Sequence, residues 1–133
     1  MAKAKKSKQL SFSMRNRVGL LSEISTAITN AKVGMNAICA YGMEGKAYFM
    51  MITDSNAKAK KALEALGANV TEDDVISVEL PNKTGELKKV AKKIADAGVN
   101  IYYMYGTAGT GKTSVCVFAT ADDKKAIRAI NKK

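Results

Sequence analysis

The sequence predicts an α+β protein made of two similar units in tandem, each an antiparallel sheet with helices on one face. Three observations lead to this prediction. The same order of strand-like segment, glycine-containing loop and helical stripe occurs twice along the chain. The 47% of hydrophobic residues is typical of a globular protein, and 133 residues leave room for two very small units. No apolar run approaches the roughly 20 residues that a membrane span requires, so we expect no membrane partner.

The first copy opens on an alternating segment, LSFSM at residues 10–14, which predicts a strand. The loop NRVGLL follows at 16–21. A helix comes next, with its apolar residues on one stripe formed by Leu20, Leu21, Ile24, Ala27, Ile28 and Ala31. Two strands joined by a turn at Gly45-Lys46 follow, the second of them at 47–53. A short helix and a closing strand at about 68–72 complete the copy.

The second copy repeats these elements. Its first strand is predicted at 75–80 and its loop NKTGEL lies at 82–87. Its helix carries an apolar stripe formed by Leu87, Val90, Ala91, Ile94 and Ala97. A strand at 113–119 follows a second glycine turn, and a short helix ends the chain.

The two copies align at two different offsets. Gly19 and Gly85 are separated by 66 positions, and Val33 and Val99 keep this spacing. The offset falls to 64 in three further matches. These are Asn36 with Asn100, Tyr41-Gly42 with Tyr105-Gly106, and residues 60–63 with 124–127. The sequence therefore predicts a two-residue insertion, Gly34-Met35, in the first copy.

Each copy reads β-α-β-β-α, which is the ferredoxin-like arrangement with helices on one face of the sheet. The helices would bury Phe12, Met14, Ile38, Met50 and Ile52. The second copy lacks a clear last strand, so its first strand would form an open edge that the other copy or a second chain must cover. We predict a disordered basic tail at 1–8, a first domain at 9–73 and a second domain at 74–133.

The composition excludes several classes of chemistry. The formal charge of +10 suits acidic partners, but it is nearly all lysine, which serves a solvated surface more often than phosphate recognition. Histidine is absent, so we expect no zinc site and no histidine-based catalysis. Cys39 and Cys116 lie in strand-like runs without metal-binding spacing. They predict reduced thiols in a cytoplasmic protein, with a disulfide as the alternative.

The segment GTAGTGKT at residues 106–113 fits the phosphate-binding pattern G-x-x-x-x-G-K-[ST]. That pattern requires a helix directly after it, whose free N–H groups hold the phosphates. The residues after Thr113 are β-branched and aromatic and predict a strand instead. The first copy also carries Gly-Lys at the same turn. We therefore interpret the segment as a hairpin turn and expect no nucleotide hydrolysis.

The run LPNKTGELKKVAKKIADAGVNIYYMYG resembles the ACT family of small regulatory domains, and SMRNRVGLLSEISTAITNAKVGMNAICAYG resembles it too. The resemblance covers nearly the whole chain beyond the lysine-rich tail. It implies two ferredoxin-like (βαββαβ) ACT-type units in tandem, similar to free-standing tandem ACT proteins. It also implies binding of an amino acid or similar small effector at an interface between domains, and it places Asn36 and Asn100 beside the glycine loops.

The residues support such a site independently. A glycine at each strand-to-helix junction allows close approach of a ligand, and the helix start offers free N–H groups to a carboxylate. An asparagine amide can both donate and accept. The predicted ligand-binding residues are Asn16, Val18, Gly19, Leu20 and Asn36 in the first copy, and Asn82, Thr84, Gly85, Leu87 and Asn100 in the second. The alternative is structural: Asn-x-x-Gly is also an ordinary capped helix start.

The function predicted from these features is a non-catalytic regulatory sensor that binds a free amino acid, as a homodimer, without metal or cofactor. The alternative is a ferredoxin-like nucleic-acid-binding protein that uses its basic surface. The aromatic-rich motif of such proteins is absent, which disfavours a nucleic-acid partner. None of the twelve acidic residues is paired in a way that indicates acid–base catalysis, so we predict no enzyme activity.

Overall fold

The structure is a computed structural model and describes residues 1–107 and 110–133. Six strands and four helices alternate along these residues. In chain order they are β1 (Lys3–Arg15), α1 (Leu20–Asn30), β2 (Met35–Met43), β3 (Lys46–Thr53), α2 (Asn56–Ala65), β4 (Thr71–Pro81), α3 (Glu86–Asp96), β5 (Ile101–Thr107), β6 (Thr113–Thr120) and α4 (Asp123–Asn131).

The strands follow the hydrogen-bonded order β2-β3-β1-β4-β6-β5. The chain divides into two compact units. The first unit consists of Lys8–Asp73, and the second combines Met1–Ser7 with Asp74–Lys133. The strand and helix order of each unit confirms the predicted ferredoxin-like fold.

The core of the first unit lies between its sheet and the helices α1 and α2. In β3 the buried residues alternate with half-buried ones, so Phe49 and Met51 face the helices. They pair across the sheet with Phe12 and Leu10 of β1, and the rings of Phe12 and Phe49 stack at 4.9 Å. Helix α1 contributes Leu20, Ile24 and Ile28, and α2 contributes Ala59 and Leu63.

The core of the second unit follows the same plan. Val78 and Ile76 of β4 pair with Cys116 and Phe118 of β6, and all four side chains are buried. Helices α3 and α4 cover this face with Val90, Ile94, Ala126 and Ile130.

The first eight residues differ from the sequence prediction, because strand β1 begins at Lys3 where a disordered tail was expected. Residues 1–7 belong to the second unit, and β1 lies next to β4 in the sheet. Ala4 is buried in the second core. Its N–H donates to Asn131 Oδ1 at 2.7 Å, and its carbonyl accepts from Asn131 Nδ2 at 2.9 Å. The chain's own N-terminus therefore supplies the last strand that the second copy lacked.

Strand register corrects the predicted alignment of the copies. Asp54 N–H bonds to the carbonyl of Gly34, and Ala121 N–H bonds to that of Asn100. Gly34, not Asn36, is thus the counterpart of Asn100. The offset stays at 66 through β2 and β5, and no Gly34-Met35 insertion is present.

The offset becomes 67 in the strands and helices after each hairpin. Strand β3 begins at Lys46 and β6 at Thr113. The buried residues of α2, Ala59 and Leu63, correspond to Ala126 and Ile130 of α4. The predicted match of residues 60–63 with 124–127 is therefore three positions out of register.

In β3 the sequence predicted the wrong face of the strand as the buried one. Met50 and Ile52 are only half-buried, because their neighbours Phe49 and Met51 face the helices. A strand places successive side chains on opposite faces, so a shift of one residue exchanges the two sets. Ile38 is 41% exposed on the edge strand β2.

The remaining expectations about the chain concern its thiols and membrane partners. Both cysteines are free, with Cys116 buried and Cys39 half-buried. Across residues 1–107 and 110–133, no helix has the length and apolar character that crossing a bilayer requires.

Candidate functional site

A glycine elbow connects the first strand of each unit to its first helix. We define the first elbow as residues 16–20 and the second elbow as residues 82–86. Gly19 and Gly85 are the N-cap residues of α1 and α3, with φ of 87° and 89°. This left-handed conformation favours glycine, which explains why both copies carry it at this position.

The elbows leave helix N–H groups without partners. Neither α1 nor α3 has a side-chain cap, so the asparagines do not act as N-caps and the capping alternative is wrong. Leu20 N–H bonds to the Arg17 carbonyl and Glu23 N–H to the Gly19 carbonyl. The N–H groups of Leu21 and Ser22, between them, have no hydrogen-bond partner among the described residues. They are available to an anion.

A cavity of about 290 Å³ lies at the first elbow. We call it the first cavity. Its walls combine the elbow, the first turn of α1, and small residues of β2 and β3. The residues that line it are Asn16, Arg17, Gly19, Leu20, Leu21, Ser22, Ala40, Tyr41, Gly42, Ala47 and Phe49.

A second cavity of about 300 Å³ lies at the second elbow. It is lined by Leu80, Pro81, Asn82, Lys83, Leu87, Met104, Gly106, Thr107, Ser114 and Cys116. Ser114 and Cys116 stand where the first unit has Ala47 and Phe49, and most of the other lining side chains, among them Leu80, Leu87 and Met104, are apolar. Burial raises the pKa of the Cys116 thiol, which keeps this group neutral.

The elbow asparagines share a backbone role but differ in their side chains. Asn16 N–H donates to the Gly45 carbonyl at 2.9 Å, and Asn82 N–H donates to the Lys112 carbonyl at 2.8 Å. The Asn82 amide also donates to the Gly111 carbonyl at 3.0 Å. The Asn16 amide makes no hydrogen bond with any described residue. It lies so close to Gly42 that a Cβ at that glycine would meet Asn16 Nδ2 at 2.8 Å.

Charged groups flank both elbows. Arg17 of the first elbow forms an ion pair with Glu23 in the first turn of α1. Glu86, at the start of α3, pairs with Lys89 at 2.8 Å. The hydrogen bond from Lys89 lowers the pKa of the Glu86 carboxyl.

The structure brings only part of the predicted site together. Asn16, Gly19 and Leu20 line the first cavity, and Asn82 and Leu87 line the second. Val18 is fully exposed and lies outside the first lining. Thr84 and Gly85 are likewise outside the second lining.

Asn36 and Asn100 lie away from the elbow of their own unit. Asn36 follows Met35, which pairs with Thr53, whereas the elbow follows Arg15, which pairs with Lys46 at the other end of β3. The second unit has the same geometry, because β5 begins opposite Thr120 and β4 ends opposite Thr113. Within its own unit, neither asparagine therefore lies beside the glycine loop, and the ligand-binding role of Asn36 and Asn100 stays a prediction.

Sequence reasoning missed several lining residues. Leu21 was assigned only to the helix core, yet it is 55% exposed at the first cavity, and its counterpart Leu87, which was predicted as a ligand-binding residue, is 45% exposed. Leu21 and Leu87 occupy the same position in the two copies. The buried residues of α1 are Leu20, Ile24 and Ile28, so a stripe restricted to this spacing would have excluded Leu21 from the predicted core. Ala40, Gly42 and Ala47 gave no local signal, because only strand pairing places these small residues beside the elbow.

A strand follows the phosphate-loop pattern where phosphate binding requires a helix. Thr113 starts strand β6 rather than a helix, as the sequence predicted. Ala108 and Gly109, inside the pattern, lie outside the residues that the structure describes. Within the described part of the chain, no group of three or more His, Cys, Asp or Glu side chains is placed to hold a metal ion.

Two ferredoxin-like units, each with a glycine elbow beside a small cavity, define this chain as a tandem α+β protein. The family model described as an ACT domain pair matches residues 6–133. The chain belongs to the ACT domain pair family. No curated protein sequence matches it.

Several solved structures are similar to this chain. Protein BT0572 from Bacteroides thetaiotaomicron is 28% identical, with a TM-score of 0.88 over 97% of this chain and 89% of that one. The regulatory subunit of aspartate kinase from Thermus thermophilus, in its ligand-free form, is 14% identical, with a TM-score of 0.70 over 98% and 95%. A putative C-terminal regulatory domain of aspartate kinase from Porphyromonas gingivalis W83 is 15% identical, with a TM-score of 0.60 over 100% and 96%. Because their sequences are only 14% and 15% identical to this chain, the two aspartate kinase structures show a shared fold.

Proposed function

We propose that this protein is a non-catalytic regulatory sensor that binds a free amino acid at the first elbow. The observation that carries the proposal is the first cavity, where unpartnered helix N–H groups and an unpartnered amide face the same space. The family membership supports a regulatory role, since structures similar to this chain are regulatory parts of aspartate kinase.

The residues of the first cavity suit a zwitterion. The ligand's carboxylate would accept hydrogen bonds from the N–H groups of Leu21 and Ser22. Its ammonium would donate to the Asn16 side-chain oxygen. Gly19 allows the ligand to approach the backbone, and Leu20 forms part of the apolar floor.

We infer that the regulatory output is a population shift in a homodimer of the cytoplasmic protein. The edge strands β2 and β5 keep exposed apolar side chains such as Ile38 and Tyr102, which suits burial against a second copy. A ligand that binds one arrangement more tightly than another shifts the population toward it by the difference in affinity. Light scattering with and without ligand measures the oligomeric state.

Isothermal titration calorimetry of the folded protein against all proteinogenic amino acids tests the proposal. We expect saturable heat with at least one of them, and weaker binding in Asn16→Ala. Absence of saturable heat across the whole panel, with a cooperative thermal unfolding transition in the same sample, would refute amino-acid binding.

A further inference from the structure

We propose that the first cavity alone takes the ligand, one per chain, and that it selects an α-amino acid with an uncharged, apolar side chain. This inference rests on the proposed function and adds the ligand class and the stoichiometry. It follows from a comparison of the two cavities, which occupy equivalent places in their units but differ in the residues that line them.

The floor of the first cavity is apolar. Leu20, Ala47 and Phe49 are 2%, 6% and 3% exposed, and Ala40 faces the same space from β2. The small side chains on β2 and β3 leave room above the floor. An aliphatic ligand side chain placed there leaves water and contacts apolar atoms, which favours binding.

Charged ligand side chains lack a partner in this cavity. None of the described residues that line it is acidic, and Arg17 is its one charged lining residue. The cation of a lysine or arginine ligand would therefore lose water without gaining a counter-charge. A second carboxylate, from an aspartate or glutamate ligand, would have to compete with Glu23 for Arg17, because these two side chains already form an ion pair.

The second cavity differs from the first mainly in its elbow amide. Ser114 replaces Ala47 there, but Leu80, Leu87 and Met104 keep most of the lining apolar. The Asn82 amide already donates to the Gly111 carbonyl, whereas the Asn16 amide has no such bond. A ligand at the second elbow would have to break that bond before it could use the amide.

Titrations of the full chain with leucine, isoleucine, valine, methionine, lysine and aspartate test this inference. We expect one site per chain and the tightest binding for an apolar amino acid. The matched variants are Asn16→Ala and Asn82→Ala. Asn16→Ala should weaken binding at least about tenfold, because an amide–ammonium bond is lost, and Asn82→Ala should change it less than about threefold.

Ala47→Ser tests the contribution of the cavity floor to binding independently of the Asn16 amide. It gives the first cavity a serine at the position where the second cavity has Ser114. We expect it to weaken leucine binding while the folded state is retained. Two ligands per chain, tighter binding of lysine or aspartate than of leucine, or equal losses in the two asparagine variants would overturn this inference and leave amino-acid binding intact. Absence of binding by every amino acid would overturn the proposed function and this inference together.

Discussion

Gly42 and Gly106 both line cavities, but their neighbours differ in how far they can move. A Cβ at Gly42 would meet the end of the Asn16 side chain at 2.8 Å, and that side chain can rotate away. A Cβ at Gly106 would lie 2.7 Å from Cys116 Sγ and 3.1 Å from the Val115 carbonyl oxygen. Moving this backbone oxygen costs more free energy than rotating the Asn16 side chain, because the whole strand would have to shift. The two glycines therefore predict different consequences for the same substitution.

Gly42→Ala should weaken ligand binding and leave the fold intact. The added methyl group displaces the Asn16 amide from its place in the first cavity, while strand residues at surface sites tolerate such changes within about 0.5 kcal/mol. Calorimetry with the best-binding amino acid measures the first effect, and urea unfolding measures the second. Unchanged affinity would show that the Asn16 amide does not contact the ligand.

Gly106→Ala should destabilise the protein by about 1–3 kcal/mol, because the methyl group overpacks the strand against Cys116 and the backbone of Val115. Gly111→Ala is the matched control, since its nearest contact would be the Thr113 carbonyl at 4.0 Å. Urea unfolding of both variants compares the losses. Equal midpoints for the two would contradict the close packing at Gly106.

At the scale of elements, the second helix of each unit starts in the same way but is capped differently. Ser55 and Asp122 are the N-caps of α2 and α4, with nearly identical backbone angles. Asp122 Oδ1 accepts from Lys125 N–H at 3.1 Å, whereas Ser55 makes no cap bond. Each helix also starts with a threonine hydroxyl bonded to its first residue, Thr53 to Asn56 and Thr120 to Asp123.

Asp122→Ala should therefore cost about 1 kcal/mol of folding free energy, which is the typical loss of an N-cap bond. Ser55→Ala is the control and should cost less, because its side chain accepts no helix N–H. Chemical denaturation of the two variants provides the comparison. A Ser55 variant as destabilised as the Asp122 variant would contradict the difference in capping.

The N-terminal strand is fixed to α4 by one side chain. The Asn131 amide donates to the Ala4 carbonyl and accepts from its N–H, as a neighbouring strand would. Asn131→Ala should cost about 1–3 kcal/mol, since the Ala4 backbone groups lose their partner in a partly buried place. Hydrogen exchange at the Ala4 amide should accelerate in this variant. Asn131→Asp, which keeps the acceptor, should protect that amide more than alanine does.

At the scale of the whole molecule, the second unit is discontinuous in sequence. Its core contains Ala4 from the start of the chain and Ile76, Val78 and Phe118 from the second half. A folded second unit therefore needs both ends of the chain. The basic composition of residues 1–8 concealed this role, because lysines alternate with small residues that contribute little apolar signal.

Deletion of residues 2–7 should destabilise the second unit selectively. We expect faster hydrogen exchange at residues 75–80, which lose their neighbouring strand, and retained protection at Ile24 and Ile28 in the first unit. The control is a Lys3→Ser and Lys5→Ser double variant, because both side chains are exposed and the strand remains. Unchanged exchange at 75–80 after the deletion would contradict this role of the N-terminus.

The local features of this fold were predictable from the sequence. The positive φ of Gly19 and Gly85, the stripe that buries Ile24 and Ile28, and the strand that starts at Thr113 each depend on a few consecutive residues. The face of β3 was not predictable, because YFMMI is apolar at every position and alternation gives no phase.

The sequence by itself determined the duplication, the β-α-β-β-α order within each copy, and the two glycine elbows, because repeated local patterns encode all three. Only the tertiary structure decided which residues meet at the elbows and what completes the second unit. Ala40, Gly42 and Ala47 reach the first elbow through strand pairing, and Ala4 reaches the second core from the far end of the chain. Such contacts join distant residues, and a single sequence carries no local signal for them.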